Sequence, residues 1–297
     1  MDLKVLRYFV EIASRGNFTA AAEALNLTQP TLSKQIMELE AELGVKLLVR
    51  GKRRTTLTEA GGRLMTNARE LLELAELTKK RVGGEDSPPR GEVHIAGGET
   101  RTMRLAARAM KKTIDKYPDI KFHIYSGNAE AVAERLEKGL ADFGAFVLPA
   151  NLEKFDYIIL PCQDIWGALI RKDHPLASRA TVRPEDLAET PLIVSSQSLA
   201  RNEINGWLGE AIKPRVVATY TLLYNAALMV REGAGVALCI DGIADISSSS
   251  ELRFRPFAPS LKSSVAIAWK KDRGFSVAAS IFLDSLRYEI GSGANNN

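Results

Sequence analysis

Residues 28–34 of this chain combine a proline with side chains that can contact nucleic acid. The stretch reads Thr28, Gln29, Pro30, Thr31, Leu32, Ser33 and Lys34. Glutamine can form two hydrogen bonds with adenine, serine and threonine can reach base edges or phosphates, and lysine can contact guanine or the DNA backbone. These residue types indicate recognition of double-stranded DNA, provided that one element presents them together on its surface.

A helix that begins here would present them in that way. Thr28 is suited to the N-cap, and Pro30 then falls in the first turn, where its missing N–H costs no hydrogen bond. An inward apolar stripe is predicted at steps of four and three residues, formed by Leu32, Ile36, Leu39 and Leu43. The residues expected to face outward are Gln29, Pro30, Thr31, Ser33 and Lys34. The acids Glu38, Glu40 and Glu42 follow where the helix would leave the groove.

The flanking sequence supplies the rest of a DNA-binding unit. Residues 3–13 predict an amphipathic helix, and a second short helix is predicted after Thr19. A short helix, a tight turn and a longer helix with polar leading residues form a helix-turn-helix. The following "GVKLLVRGKRRTTLTEAG" is interpreted as a two-stranded wing, whose tip carries Arg50, Lys52, Arg53 and Arg54. Taken singly, each of these features is also common in proteins that bind no DNA.

A second regularity runs from residue 57 to residue 82. The positions that form a heptad seam are Leu64, Ala68, Leu71, Ala75, Thr78 and Val82. Such a helix either packs on its own domain or pairs with a second copy, and pairing is the interpretation we favour. The glycines and prolines of "GGEDSPPRG" at 83–91 predict a hinge after it.

Beyond residue 91 the pattern changes to strands that alternate with helices, as in "EVHIAGG", "MRLAARAMKKTI", "IKFHIYSG" and "AEAVAERLEKG". This alternation predicts parallel sheets with crossover helices. It resumes after residue 160, so two α/β units with a cleft between them are expected. The final "GSGANNN" predicts a disordered tail.

The sequence "NFTAAAEALNLTQPTLSKQIMELEAELGVKLLVR" with the later "RRTTLTEAG" closely resembles the N-terminal domain of LysR-type transcriptional regulators. The resemblance covers about the first sixty residues, and the remainder resembles the family's effector domain more weakly, as an order of elements. Lys34 stands where relatives usually have arginine, and Leu48 stands where an aromatic residue is frequent. A bidentate contact from position 34 is therefore less expected here.

The resemblance implies a multidomain α and α/β protein. Its parts would be an N-terminal winged helix-turn-helix (1–57), a dimerising linker helix with a hinge (58–90), and a C-terminal two-lobed α/β effector domain of periplasmic-binding-protein type (91–290). Lobe I is expected at about 91–160 and 266–290, lobe II at about 161–265, and the tail at 291–297. Family members are commonly tetramers, so a homodimer or homotetramer is expected, with dimer contacts from Leu64, Ala68, Leu71, Ala75 and Val82.

By matching positions, the resemblance also assigns the DNA contacts. The recognition helix would be 29–43, with Thr28, Gln29, Pro30, Thr31, Ser33 and Lys34 at the DNA. Phosphate contacts would come from Arg50, Arg53 and Arg54. Phosphate contacts supply affinity and base contacts supply sequence choice, and a two-fold dimer should read a near-palindromic promoter site. An activator of this kind would also contact RNA polymerase.

Two helix starts in the second region suggest a ligand site. "AGGETRTM" leads from a strand into a helix with Thr100 and Arg101 at the junction, and "LIVSSQS" repeats the arrangement with Ser195 and Ser196. Helix N-termini favour anions, so a small organic anion between the lobes is expected as the effector, with Ser126 as a further candidate. The same residues would equally serve as ordinary helix caps.

Composition sets limits on other functions. The net charge of +4 and the pI near 9.0 are only mildly basic, so a nucleic-acid function depends on where the charges cluster. Cys162 and Cys239 are isolated and fit reduced, buried cysteines of a cytoplasmic protein. Charged residues inside the first apolar pattern argue against a signal peptide, and no apolar run reaches the ~18 residues of a membrane span.

Catalysis is not expected. His94, His123 and His174 are scattered along the chain, and the first two fall in strand patterns where structural histidines are usual. No catalytic residues, cofactor or metal site is therefore predicted. Two alternatives to a ligand-responsive transcription factor stay open from the residues alone, namely a solute-binding protein and a catalytic α/β protein with a helical dimerisation domain.

Overall fold

The computed structural model describes residues 1–51, 54–82, 88–200, 203–210, 212–271 and 274–293. The helices are α1 (Leu3–Arg15), α2 (Phe18–Ala24), α3 (Gln29–Leu43), α4 (Glu59–Val82), α5 (Arg104–Lys116), α6 (Ala129–Glu137), α7 (Ser196–Ala200), α8 (Glu203–Leu208), α9 (Leu223–Arg231) and α10 (Val277–Gly293). The strands are β1 (Leu48–Arg50), β2 (Thr55–Leu57), β3 (Gly91–Gly97), β4 (Ile120–Ser126), β5 (Phe143–Val147), β6 (Phe155–Arg171), β7 (Pro191–Ser195), β8 (Arg215–Tyr220), β9 (Val236–Ile240), β10 (Leu252–Pro256) and β11 (Lys262–Lys270).

The N-terminal domain is a winged helix-turn-helix, as predicted. Three members of the predicted apolar stripe of α3 are buried against α1 and α2, with Leu32, Ile36 and Leu39 at most 2% exposed. The expectation that Leu43 faces inward is wrong, because it lies at the end of the helix and is 39% exposed. The wing strands β1 and β2 pair antiparallel, with Leu48 opposite Leu57. The backbone N–H of Thr55 donates to the carbonyl of Gly16, which joins the wing to the turn between α1 and α2.

The first part of helix α4 packs against the winged domain of its own chain. Ala68 is fully buried, and Leu64 packs against the core of the winged domain. The expectation that Ala68 belongs to a dimer seam is therefore wrong, because its side chain is covered within the single chain, whereas Leu64 stays half-buried and its place in a seam stays a prediction. Leu71 stays 39% exposed, Ala75 is half-buried, and the side chain of Val82 lies outside the described residues.

One continuous sheet runs through both lobes of the effector domain. Its strand order is β4-β3-β5-β11-β6-β9-β7-β8, with β10 paired to β6. The pairs β3–β4 and β3–β5 are parallel, as are β7–β8 and β7–β9, which confirms two α/β units in series. The long strand β6 pairs with β11 through its first part and with β9 and β10 through its second part. Its middle therefore lies where the lobes meet.

Several details differ from the sequence-based expectations. Strand β10 and the short helix α8 were not predicted, whereas α7 begins at Ser196, where a helix start was expected. Residues 291–293 continue α10 rather than starting a disordered tail, since no proline ends the helix there. Cys162 is exposed, contrary to expectation, whereas Cys239 is buried as expected. No helix in the part of the chain that the structure describes has the length and apolar character to cross a membrane.

Candidate DNA-binding surface and effector cleft

The start of α3 is capped as its sequence predicts. The side-chain oxygen of Thr28 accepts a hydrogen bond from the backbone N–H of Thr31, and Pro30 lies in the first turn. Thr28, Pro30, Thr31 and Lys34 are exposed and Gln29 is half-buried. The Lys34 ammonium lies 3.9 Å from the Glu38 carboxylate, an exposed pair that leaves it accessible. A polar, acid-free front edge is thus presented to solvent.

Ser33 does not belong to that exposed edge. It is only 8% exposed, and its hydroxyl accepts a hydrogen bond of 2.8 Å from the guanidinium of Arg50. The same guanidinium lies 4.3 Å from the centre of the Phe18 ring. The expectation that Ser33 faces outward is therefore wrong, because the wing folds back and Arg50 covers this position.

Glu40 also points into the protein rather than away from DNA. Its carboxylate accepts hydrogen bonds from the backbone N–H groups of Leu47 and Leu48 and from the Lys46 ammonium, at 2.9, 3.2 and 2.7 Å. Burial alone would raise the pKa of Glu40, but these hydrogen bonds hold it below its ordinary value. Glu40 thus stays ionised and fixes the start of the wing to α3. Of the wing tip, Arg54 is exposed, and Lys52 and Arg53 lie outside the described residues.

Two adjoining cavities lie between the lobes of the effector domain. The larger has a volume of about 630 Å³ and the smaller about 90 Å³. Residues that line both are Gly98, Glu99, Leu223 and Ile243. Thr100 and Ser126 line the larger cavity, and Ser195 lines the smaller one. The structure therefore brings these three predicted residues to one cleft.

The helix start at Thr100 is already occupied by a carboxylate of the protein itself. Asp164, in the middle of β6 and 1% exposed, accepts hydrogen bonds from the hydroxyls of Thr100 and Thr102 and from the Thr102 N–H. Burial raises the pKa of Asp164, although these hydrogen bonds oppose the rise. The donors that sequence reasoning reserved for a ligand anion are thus satisfied internally. A charged residue inside the apolar strand pattern of β6 was the signal that could have revealed Asp164.

Arg101 is directed at the second lobe instead of the cavities. Its guanidinium lies 2.9 Å from Asp241, which also accepts the backbone N–H of Ile165. Gly242 permits this, since a Cβ there would come within 2.8 Å of the Arg101 side chain. Ser196 likewise turns away, and its hydroxyl donates to the Tyr220 carbonyl. Arg101 and Asp241 therefore join the lobes next to the cleft.

The charges around the cleft do not favour an anion. Among the described residues, the larger cavity is lined by the acids Glu99 and Asp245 and by one base, Arg231. The smaller cavity adds Glu203 to Glu99. Most of the remaining lining is apolar, with Leu223, Leu228 and Ile243 among its members. Apolar side chains therefore make up most of the surface that the larger cavity offers.

Fold and site together define a regulator that binds DNA through a winged helix-turn-helix and carries a two-lobed ligand-binding domain. Residues 3–62 match the family model described as bacterial regulatory helix-turn-helix protein, lysR family, and residues 86–290 match the LysR substrate binding domain. The chain therefore belongs to the LysR family of transcriptional regulators.

The chain is similar to regulators along nearly its whole length. It is 32% identical to the Hca operon transcriptional activator HcaR of Escherichia coli, over 91% of this chain and 92% of that protein. It is 34% identical to the transcriptional regulator CysB of Burkholderia cenocepacia, over 81% and 78% of the two chains. These relatives are transcriptional regulators, which lends no support to a solute-binding protein or an enzyme.

Solved structures show the same fold. A full-length OxyR variant from Pseudomonas aeruginosa superimposes with a TM-score of 0.67 at 25% identity, covering 97% of this chain and 95% of that one. Full-length CbnR in complex with its target DNA superimposes with a TM-score of 0.56 at 23% identity, covering 98% and 100%. The second likeness shows the fold alone.

Proposed function

We propose that this chain controls transcription by binding promoter DNA through the front edge of α3 and the wing, and that a small molecule in the cleft between the lobes modulates this binding. The observation that carries the proposal is the exposed edge of Thr28, Pro30, Thr31 and Lys34 beside the basic wing. The cleft lies where both lobes and β6 meet, so a ligand there contacts both lobes at once.

Within this proposal the residues divide by role. Gln29, Thr31 and Lys34 read base edges, and Arg54 with Arg53 neutralises phosphates. Arg50 contacts phosphate only through the part of its guanidinium that Ser33 and Phe18 leave free. CbnR is solved on its target DNA, which supports the same docking here. HcaR is a transcriptional activator, and activation by this chain would involve RNA polymerase. A regulator of promoter DNA works where the DNA is, which supports a cytoplasmic location.

The effector proposed here is a small organic molecule that is neutral or cationic rather than anionic. The Thr100 and Thr102 donors are bonded to Asp164, and acids outnumber bases among the described residues that line the larger cavity. Thr100, Ser126 and Ser195 stay candidates for polar contacts, whereas Arg101 and Ser196 act by joining elements around the cleft.

Pairing of two copies is proposed through α4 and through the edges of the effector sheet. Leu71 and Leu74 of α4 are 39% and 57% exposed. The edge strands β4 and β8 expose apolar side chains as well, with Ile124 at 67% and Val217 at 44%. Unpaired apolar edges of this kind associate with another chain unless they are protected, and a two-fold dimer would place two recognition helices on one DNA face.

Gel shifts with the DNA that flanks the gene test the DNA-binding part. Specific binding should weaken steeply with salt. A plot of the logarithm of the binding constant against the logarithm of the salt concentration should have a slope of about −0.9 per phosphate contact. Gln29→Ala should lower discrimination at one base position by about 1–3 kcal/mol, and Glu42→Ala, an exposed change at the far end of the same helix, should leave it unchanged. Binding that is equally tight to every sequence would contradict the proposal.

A thermal-shift screen tests the effector part. The intact chain is exposed to metabolites of matched size sorted into anionic, neutral and cationic sets. A ligand at a hundred times its dissociation constant stabilises the folded state by about 2.7 kcal/mol, so binders raise the melting temperature visibly. We expect hits among the neutral and cationic sets. Hits confined to anions would overturn the proposed ligand class and leave the DNA-binding proposal standing.

A further inference from the structure

Three side chains that can bind a metal ion lie together at the edge of lobe I. Glu92 and His94 are two positions apart on β3 and therefore share a face. The parallel register of β3 and β4 pairs His94 with His123. The Oε2 atom of Glu92 lies 3.5 Å from Nε2 of His94 and 3.5 Å from Nε2 of His123.

These distances match a tetrahedral metal centre. Zinc binds histidine nitrogen and carboxylate oxygen at about 2.0–2.1 Å, so two ligands of one tetrahedral ion lie about 3.3 Å apart. One donor atom from each of the three residues lies within 4.8 Å of the others. The two imidazole rings are nearly parallel, with centroids 4.7 Å apart, and both Nε2 atoms lie beside the same carboxylate oxygen.

The surroundings leave this group available. It opens into a cavity of about 860 Å³ that is also lined by α1 and α4 of the DNA-binding domain. Among the described residues, five arginines and four acids line the cavity, and three of the arginines pair with acids of the same lining. Arg7 and Arg90 pair with Glu76, and Arg15 pairs with Glu11.

We propose that Glu92, His94 and His123 bind one divalent transition-metal ion, with water at the fourth position. Two imidazoles and one carboxylate suit Zn²⁺, Ni²⁺ or Cu²⁺ and not the all-oxygen preference of Mg²⁺ or Ca²⁺. The ion would lie where the chain enters lobe I at Gly91, in the space between that lobe and the DNA-binding domain. The sequence predicted no metal site, because His94 and His123 are far apart until the parallel register aligns them.

Metal analysis of the intact chain, with any histidine tag removed, tests this proposal. After equilibrium dialysis against Zn²⁺, we expect one ion per chain. Co²⁺ in its place should give the strong visible absorption of a four-coordinate ion. Removal of an outer partner of a metal site already costs about 10–100-fold in affinity, so His123→Gln and Glu92→Gln should each weaken binding by at least that factor. Mg²⁺ and Ca²⁺ should not compete.

The third histidine supplies a matched control. His174 caps a short turn in lobe II, where its Nδ1 accepts the Leu176 N–H, and His174→Gln should keep full metal binding. Glu92→Gln alters an exposed position with little change in shape, so it keeps the test decisive even if a histidine variant folds poorly. Less than one ion per chain at micromolar Zn²⁺, or equal binding by Glu92→Gln and the wild type, would overturn the proposal, which does not depend on DNA binding.

Discussion

Arg50 of the wing donates a hydrogen bond of 2.8 Å to Ser33 of the recognition helix. The guanidinium also lies over the ring of Phe18 in α2. Three elements of the DNA-binding domain therefore meet at one side chain. Because α3 and the wing are both proposed to contact DNA, Arg50 helps to set the angle at which they do so.

Replacing Ser33 with alanine should weaken DNA binding without changing its sequence preference. The change removes the acceptor that holds Arg50, while the exposed edge of α3 keeps its base-reading groups. A hydrogen bond to a charged group contributes about 1.5–3 kcal/mol, so the loss in affinity should not exceed about a hundredfold. Gel shifts against a panel of singly substituted operators measure both quantities. A changed preference would mean that Ser33 reaches the bases after all.

Glu40→Ala should destabilise the winged domain. It removes the acceptor of the Leu47 and Leu48 N–H groups, which are buried, and one unsatisfied buried donor costs about 1–3 kcal/mol. Glu38→Ala on the exposed face of the same helix should stay within about 0.5 kcal/mol of the wild type. Urea unfolding of both variants provides the comparison. Equal stabilities would show that water replaces the carboxylate.

The parts of the site that depend on local sequence were predictable. Thr28, Pro30 and the leucine stripe determine where α3 begins and which side it buries, because capping and helical periodicity act within a few residues. Ser33 and Glu40 were placed wrongly for the opposite reason. Both side chains contact residues of the wing, which folds back onto α3. The periodicity of the helix itself gives no indication of that contact.

The effector domain shows the same limit at longer range. The alternation of strands and helices predicted two α/β units, and the parallel pairs β3–β4 and β7–β8 confirm them. Asp164 meets Thr100 only because β6 passes between the lobes, and His94 meets His123 only through a strand register. Both juxtapositions depend on contacts between residues far apart in the chain, which residue spacing does not encode.

The stability of the effector domain should depend on pH through Asp164. Burial raises the pKa of this carboxyl in the folded chain. Its contribution to the free energy of unfolding is therefore fully present below the unfolded pKa of about 3.9, and it is lost as pH rises through the folded pKa. Asp164→Asn cannot titrate. The free energy of unfolding of the wild type minus that of the variant should therefore fall as pH rises from about 4 and then level off. Urea titrations across this range measure it, and a difference that grows with pH would show that the hydrogen bonds from Thr100 and Thr102 outweigh burial.

Leu71→Glu should weaken self-association and DNA binding together. Leu71 is exposed in the single chain, unlike Ala68 one turn earlier, so it is free to pack against a second copy of α4. A buried leucine contributes about 1.5–3 kcal/mol, and a two-fold dimer contains two copies, so the dissociation constant of the dimer should rise at least about a hundredfold.

Thr181→Glu places the same charge at an exposed position of lobe II, outside α4 and outside the edge strands β4 and β8, and it should leave association unchanged. Sedimentation equilibrium measures the dimer, and gel shifts on a palindromic operator measure binding by two linked recognition helices. If Leu71→Glu sediments like the wild type, α4 does not hold the copies together. The next substitutions would then be made in the exposed edge strands β4 and β8. In a dimer formed through those strands, the effector domains would set the distance between the two recognition helices.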